Sequence, residues 1–376
     1  MSHANLLGGM KMKIRCTRDN LADSWAIAQG IVPTRPTRPI LANIKICVAT
    51  EGVELHATDM DIGIRLKLDG AEIVEEGSAV IPAALFGGIL RDSWADSVEI
   101  STEESLIHVT MQNSHFKIHG DDPEYFPELP ASDEKGMFSI PKASFLEMVR
   151  RTSFATARED TRYALHGVLL KAKGKDAVMV ATDGRRLAYA KCNLPEAVEE
   201  EVSAVVPPLG LQEIERALRE SDEMVGISVD DNRLFAKSDM AVVFTKLVEG
   251  TFPNYEEVIP KGNDKIVTLK REELLAGLKQ AAKMTSEDSR AVMMDFEKDK
   301  LTLSSSSPEA GDAVIESAAQ YSGEAFNIRF NPLFLTDILK VIEVEEIRME
   351  FKEKTSPGIL RVGKDFIYVV MPINIE

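Results

Sequence analysis

Of 376 residues only three are cysteine, Cys16, Cys47 and Cys192, and no two of them form a CxxC pair. So scattered and odd a set argues against a disulfide framework and offers zinc no ligand pair. It fits a reducing cytoplasm. Long apolar runs are also missing, since none reaches the roughly 20 residues that a membrane helix needs. The opening MSHANLLGGMKMK lacks the charged start and apolar stretch of a secretory signal. It reads as a flexible leader over residues 1–12. Basic charge is scarce as well: 44 Lys and Arg face 61 Asp and Glu, a net charge of −17. That sum argues against nucleic acid as a partner, because phosphate binding relies on Lys and Arg. A sum hides distribution, however, and an acidic outside is compatible with a basic inside.

Catalytic signatures are thin. The six histidines, His3, His56, His108, His115, His119 and His166, show no HExxH or other metal-ligand spacing. His115 and His119 lie in QNSHFKIHG, whose strand-like alternation holds them too far apart for one metal. No GxxxxGK[ST] phosphate loop and no GxSxG elbow occurs. Asp59, Asp61 and Asp183 stand at expected strand ends and resemble an acid–base set. Asp59 and Asp183 recur at matching places of a repeat, which reads more readily as a turn whose carboxylate accepts local backbone N–H groups.

What the chain does have is that repeat. Pro82, Pro207 and Pro332 are spaced by 125 residues, each followed by an apolar helix-like run: AVIPAALFGGIL, AVVPPLGLQEIERAL and IRFNPLFLTDILKVI. The Ala-Thr-Asp triplets at 57–59 and 181–183 lie 124 apart, with serines in the third copy. Tyr125-Phe126-Pro127 and Thr251-Phe252-Pro253 follow, and the third copy ends at Val370-Met371-Pro372. Each copy also opens on a short strand and an amphipathic helix. One domain-sized unit is therefore built three times, and identical faces recurring along a chain suggest an arc, a ring or a rod.

Period-2 strands such as VELHATD, SVEISTE and AVVFTKLV dominate every copy. Two helices interrupt them, the second starting at the repeated proline, whose missing N–H would be unpaired in a first turn anyway. The expected class is α+β, with antiparallel sheets and two helices per copy, six helices in all. On those helices Leu274, Leu278 and Ala281 should form one buried stripe and Phe145, Met148 and Thr152 another. Lys142, Arg150, Arg151, Lys279 and Lys283 are then left on outer faces, with Arg216, Arg219 and Lys340 on the remaining helices. Recurring basic faces on an acidic body would concentrate one positive surface.

The segments RPTRPIL from Arg35, ATDGRRLA from Ala181, TKLVEGTFPNY from Thr245 and the terminal YVVMPI from Tyr368 are similar to those of bacterial sliding clamps, the beta subunit of DNA polymerase III. The resemblance runs from about Lys13 to Ile373. It implies three clamp domains, at 13–136, 137–263 and 264–376, forming half of a six-domain ring. A head-to-tail homodimer would encircle double-stranded DNA without sequence specificity and tether the polymerase III catalytic subunit, the clamp loader and other proteins carrying a clamp-binding motif. No enzyme activity, cofactor, metal or membrane is implied, and the location is cytoplasmic. DNA contacts fall to Arg35, Arg158, Arg162 and Tyr163, besides the basic helix faces. The dimer contact falls to Phe116 and Ile118 on one side and to Met284 and Arg290, near Lys283, on the other. A pocket for partner peptides falls to Leu165, Thr182, Gly184, Arg185, Arg186, Leu187, Pro253 and Val258, with Pro357, Val370, Met371, Pro372 and Ile373. Glu256 and Glu257 stand where some relatives carry Arg, and Arg185 where some carry His. Two rival readings are a hydrolase built on Asp59, Asp61 and Asp183, and a monomeric scaffold that binds only proteins.

Overall fold

A computed structural model describes residues 11–103, 105–132, 136–158, 163–230, 232–285 and 290–373. Among them are six α-helices: α1 (Arg18–Ile31), α2 (Ala83–Asp92), α3 (Lys142–Thr152), α4 (Pro208–Ala217), α5 (Arg271–Ala281) and α6 (Pro332–Val341). This is two per repeat, as the sequence predicts. The repeated prolines serve the helix starts in slightly different ways. Pro332 is the first residue of α6, Pro82 is the cap before α2, and Pro207 precedes Pro208, which opens α4. In each case a locked φ prepares the first turn.

The chain folds into two compact units, Met1–Lys142 with Leu209–Leu247, and Ala143–Pro208 with Val248–Glu376. The middle repeat is divided between them. The cause is sheet continuity, because strands of successive repeats hydrogen-bond to each other and compactness follows the sheets. In the first unit Ala241–Lys246 pairs antiparallel with Ile62–Lys67, setting Thr245 opposite Ile62. That pairing completes an eight-stranded sheet beside a five-stranded one. In the second unit Arg186–Val206 pairs with Phe366–Val370, setting Leu187 opposite Val369, within a six-stranded sheet beside a four-stranded one.

Helix α1 buries Leu21, Trp25, Ala28 and Ile31, a stripe at helical spacing. The Trp25 indole N–H donates to the carbonyl of Ala83 at 3.0 Å, and its ring meets Phe86 edge-on at 4.7 Å. Helix α5 buries Leu274, Leu278 and Ala281, and α3 buries Phe145, Met148 and Thr152, as expected. Most of the expected leader, residues 1–10, lies outside the described residues. Its far end does not fray. Met12 is 1% exposed, and its backbone exchanges hydrogen bonds with Thr102. An apolar thioether beside a sheet edge gains more by burial than by solvation.

One seam between repeats depends on a missing side chain. Gly63 lies directly opposite Phe244, and the aromatic ring covers it. A Cβ there would meet Phe244 carbons at 2.3 and 2.5 Å. Gly63→Ala must push the ring from its place beside Leu129 and Phe235. It should destabilise the first unit by about 1–3 kcal/mol, read as a lowered urea midpoint.

Candidate partner-binding site

Two copies of one turn carry the repeated Thr-Asp pair. The Thr58 hydroxyl donates to the carbonyl of Ile62 at 2.7 Å and accepts from the N–H of Met60 at 2.9 Å. Asp59 Oδ1 accepts from the N–H groups of Asp61 and Ile62 at 2.9 and 2.7 Å. In the second copy Thr182 donates to the carbonyl of Arg186 at 2.6 Å and accepts from Gly184 N–H at 3.1 Å. Asp183 Oδ1 accepts from Arg185 and Arg186 N–H at 2.9 and 3.0 Å. The carboxylates are turn-formers in both copies. The third turn position has φ of 88° at Met60 and 82° at Gly184; only glycine holds that conformation without strain.

The second turn delivers Arg186 to an interior position. Its side chain is 10% exposed, and each of its three nitrogens has a partner. Nε donates to Asp183 Oδ2 at 3.0 Å, one terminal nitrogen to Asp337 Oδ2 at 2.8 Å, and the other to the carbonyl of Phe154 at 2.9 Å. The guanidinium lies over the rings of Phe154 and Phe334, 5.4 and 4.7 Å from their centroids. Burial works against its charge, but Tyr368, Asp337 and Asp183 outweigh burial and raise its pKa. Tyr368, itself driven up by burial, donates to the carbonyl of Phe334 at 2.8 Å. One cation thus ties the turn, the residues after α3, helix α6 and the last strand into a single corner.

Beside this corner opens an apolar pocket of about 200 Å³. Leu165, Thr182, Gly184, Arg185, Arg186, Leu187, Pro253, Val258 and Met371 line it, together with Tyr255 and Val369. Leu187 and Val369 also belong to the core beneath, on which Phe252 and Tyr255 pack. Pro357, Val370, Pro372 and Ile373, expected in the wall, are not among the lining residues. Val370 is 1% exposed, and the N–H of Ile373 binds the carbonyl of Arg329 at 2.8 Å. Strand alternation places Val369 and Met371 on one face and Val370 on the other, so period 2 alone would have favoured Val369. Met371 is 40% exposed, and its N–H is fixed to the carbonyl of Arg185 at 2.8 Å. A second, more polar cavity of about 730 Å³ shares Gly184, Arg185 and Arg186 and is also lined by Arg158, Arg290 and Asp337. Arg290, expected at a dimer contact, lies in this cavity.

The basic residues expected to stand clear on α3 are engaged within the chain. Lys142 donates to the carbonyls of Arg219 and Glu220 at 2.7 and 2.9 Å. Arg150 pairs with Glu343. Arg151 pairs with Glu147 at 2.6 Å and covers the Phe366 ring at 5.2 Å. Nearby carbonyls, carboxylates and an aromatic face hold these cations, so the outer face of α3 offers less open positive charge than the sequence reading supposes. Arg35, Arg158, Lys279 and Lys283 are exposed. Tyr163 opens the short turn Tyr163–His166, and Arg162 lies outside the described residues.

Strand Ser114–His119 is one of the two edge strands of its five-stranded sheet. Ile118 on it is 4% exposed and serves its own core, which corrects its expected place on a contact surface. Phe116 lines an open groove with Leu85 and Trp94. Those two are 54% and 83% exposed, an apolar surface that the sequence reading passed over. Met284 is half-buried at the end of the turn Ala282–Met284. Among the described residues no group of three or more His, Cys, Asp or Glu side chains could hold a metal ion.

Arg186→Met should leave Asp337 and Asp183 without their shared cation, at a cost of about 3 kcal/mol. Arg185→Ala, at an exposed neighbour, should cost less than about 0.5 kcal/mol. Calorimetric melting of the two variants reads the difference.

Family models match in order along the chain: DNA polymerase III beta subunit N-terminal domain at 12–130, central domain at 139–254 and C-terminal domain at 256–374. A beta sliding clamp of Chlamydia pneumoniae is 31% identical over 368 residues, covering 97% of this chain and 100% of the relative. One from Pseudomonas aeruginosa is 29% identical over 367 residues, covering 97% and 100%. Among solved structures, the DNA polymerase sliding clamp of Bacillus subtilis superposes with a TM-score of 0.91 at 28% identity, covering 97% of this chain and all of that one. The sliding clamp of Pseudomonas aeruginosa bound to griselimycin does so with 0.91 at 30% identity, with the same coverage. The chain belongs to the DNA polymerase III beta subunit family, the bacterial beta sliding clamps.

Proposed function

We propose that two copies of this chain close head to tail into a ring around duplex DNA and act as a replication processivity factor. The observation that carries this reading is the full-length correspondence to beta sliding clamps, three clamp domains in order over 97% of the chain. In this reading the domains divide at 13–136, 137–263 and 264–376, and the ring works in the cytoplasm. It performs no catalysis of its own, because its task is to stay on DNA while others act. Among the described residues no helix is long and apolar enough to cross a membrane.

Topological linkage suits a protein of net charge −17. Such a body is repelled by phosphate as a whole and cannot rely on affinity. Encirclement keeps it on DNA while a few cations make loose contacts that permit sliding. Arg35, Arg158, Lys279 and Lys283 fill that role, and Arg162 and Tyr163 are assigned to it by the family resemblance. Each phosphate they neutralise should add about −0.9 to the log–log slope of binding against salt. The closing surface joins the edge strand Ser114–His119, with Phe116, Leu85 and Trp94, to the third domain of the partner copy near Met284. The pocket beside Arg186 takes apolar side chains from the flexible tails of polymerases and clamp loaders. Leu187, Val258 and Val369 supply area, and Met371 adapts its shape to different tails.

The test is retention. Loaded on a nicked circle, the protein should stay bound through gel filtration in high salt, and should be lost once the circle is linearised. Equal retention on both forms would contradict encirclement.

A further inference from the structure

One face of the eight-stranded sheet holds an arrangement that a clamp does not require. Strand Asn43–Ala49 lies beside Gly52–Thr58 in a register that sets Cys47 opposite Glu54 and Lys45 opposite His56. The three titratable side chains between these strands form a chain. Cys47 Sγ is 3.7 Å from His56 Nδ1, and His56 Nε2 is 2.8 Å from Glu54 Oε2. A carboxylate that accepts from Nε2–H fixes the tautomer in which Nδ1 carries the lone pair, aimed at the thiol. Nucleophile, base and orienting carboxylate therefore stand in sequence.

The chain opens into a cavity of about 480 Å³. Lys45, Arg65, Lys67 and Lys237 line it, with the carboxylates of Glu54, Glu128 and Asp239. Arg65 and Lys67 share the strand Ile62–Lys67, and with Glu54 engaged by His56 the remaining cations outnumber the remaining acids. Lys45 donates to the carbonyl of Pro123 at 3.1 Å and Arg65 to that of Pro130 at 3.2 Å, neutral acceptors that leave both charges uncancelled. Burial opposes the charge of His56, but its bonds to Cys47 and Glu54 outweigh burial and raise its pKa, the direction that suits a base for the thiol. The other two thiols have no such setting. Burial pushes both Cys16 and Cys192 up to about 11.

We propose that Cys47 is a reactive thiol and a site of covalent modification by anionic low-molecular-weight disulfides. His56 takes the thiol proton on Nδ1, and the thiolate attacks one sulfur of the disulfide. A new bond joins Cys47 Sγ to that sulfur, the original S–S bond breaks, the other half leaves as a thiolate, and His56 returns the thiol proton to solvent. No further oxidant is consumed. The lysines and Arg65 draw the anionic reagent in, and Glu54 holds the imidazole in line as a positioning residue.

The probe is the dianionic aromatic disulfide dithiobis(nitrobenzoate), added to the full-length folded protein at neutral pH. Labelling is followed by released thiolate and assigned by peptide mass. Cys47 should be modified before Cys16 and Cys192, an ordering read within one molecule and independent of any variant. His56→Gln should slow Cys47 labelling by about a hundredfold, the usual worth of a positioned base, and Glu54→Gln by a smaller factor. Lys67→Ala should slow the dianionic reagent but not neutral hydroxyethyl disulfide. Labelling of Cys192 ahead of Cys47, or an unchanged Cys47 rate in His56→Gln, would overturn the proposal.

Discussion

The guanidinium of Arg186 is the contact on which the partner corner depends. A cation at 10% exposure is tolerable only if its nitrogens find partners and the surrounding charge is negative. Here Asp183, Asp337 and the Phe154 carbonyl meet them, and two aromatic rings flank the plane. Those partners come from three separate stretches of sequence. Satisfying one charge therefore fixes the Thr-Asp turn, the residues after α3 and helix α6 against each other. The pocket next to it inherits that rigidity, which suits the proposed ordering of flexible tails at little extra entropic cost.

The second constraint is sheet continuity. Strands of successive repeats pair at Thr245 with Ile62 and at Arg186 with Val370. Backbone hydrogen bonds across a repeat boundary leave no exposed edge there, so the boundary is neither a linker nor a hinge by composition. That is why two compact units emerge from a threefold sequence repeat. It also places the proposed pocket at a seam, where residues from two repeats converge within one unit.

Much of this was legible in the sequence. The proline period located α2, α4 and α6, and the Thr-Asp pairs at 58–59 and 182–183 announced their turns. Leu274, Leu278 and Ala281 declared a buried stripe. Pairing partners were not legible, because they lie far apart in the chain. Nothing local says that Arg150 meets Glu343, that Lys142 caps the carbonyls of Arg219 and Glu220, or that Arg290 joins the cavity beside Asp337. The pocket list went astray for a different reason. The family resemblance implies Val370, whereas strand alternation sends it to the opposite face and admits Val369. Ile118 likewise alternates inward, and the exposed Trp94 carried no pattern to mark it.

The central claim is that the pocket beside Arg186 holds partner tails by their apolar side chains. A crystal structure of the protein with a short polymerase-tail peptide carrying two adjacent large apolar residues tests it most directly. The account predicts one of those side chains seated among Leu187, Val258, Val369 and Met371. A peptide bound elsewhere, with that pocket empty, would contradict it.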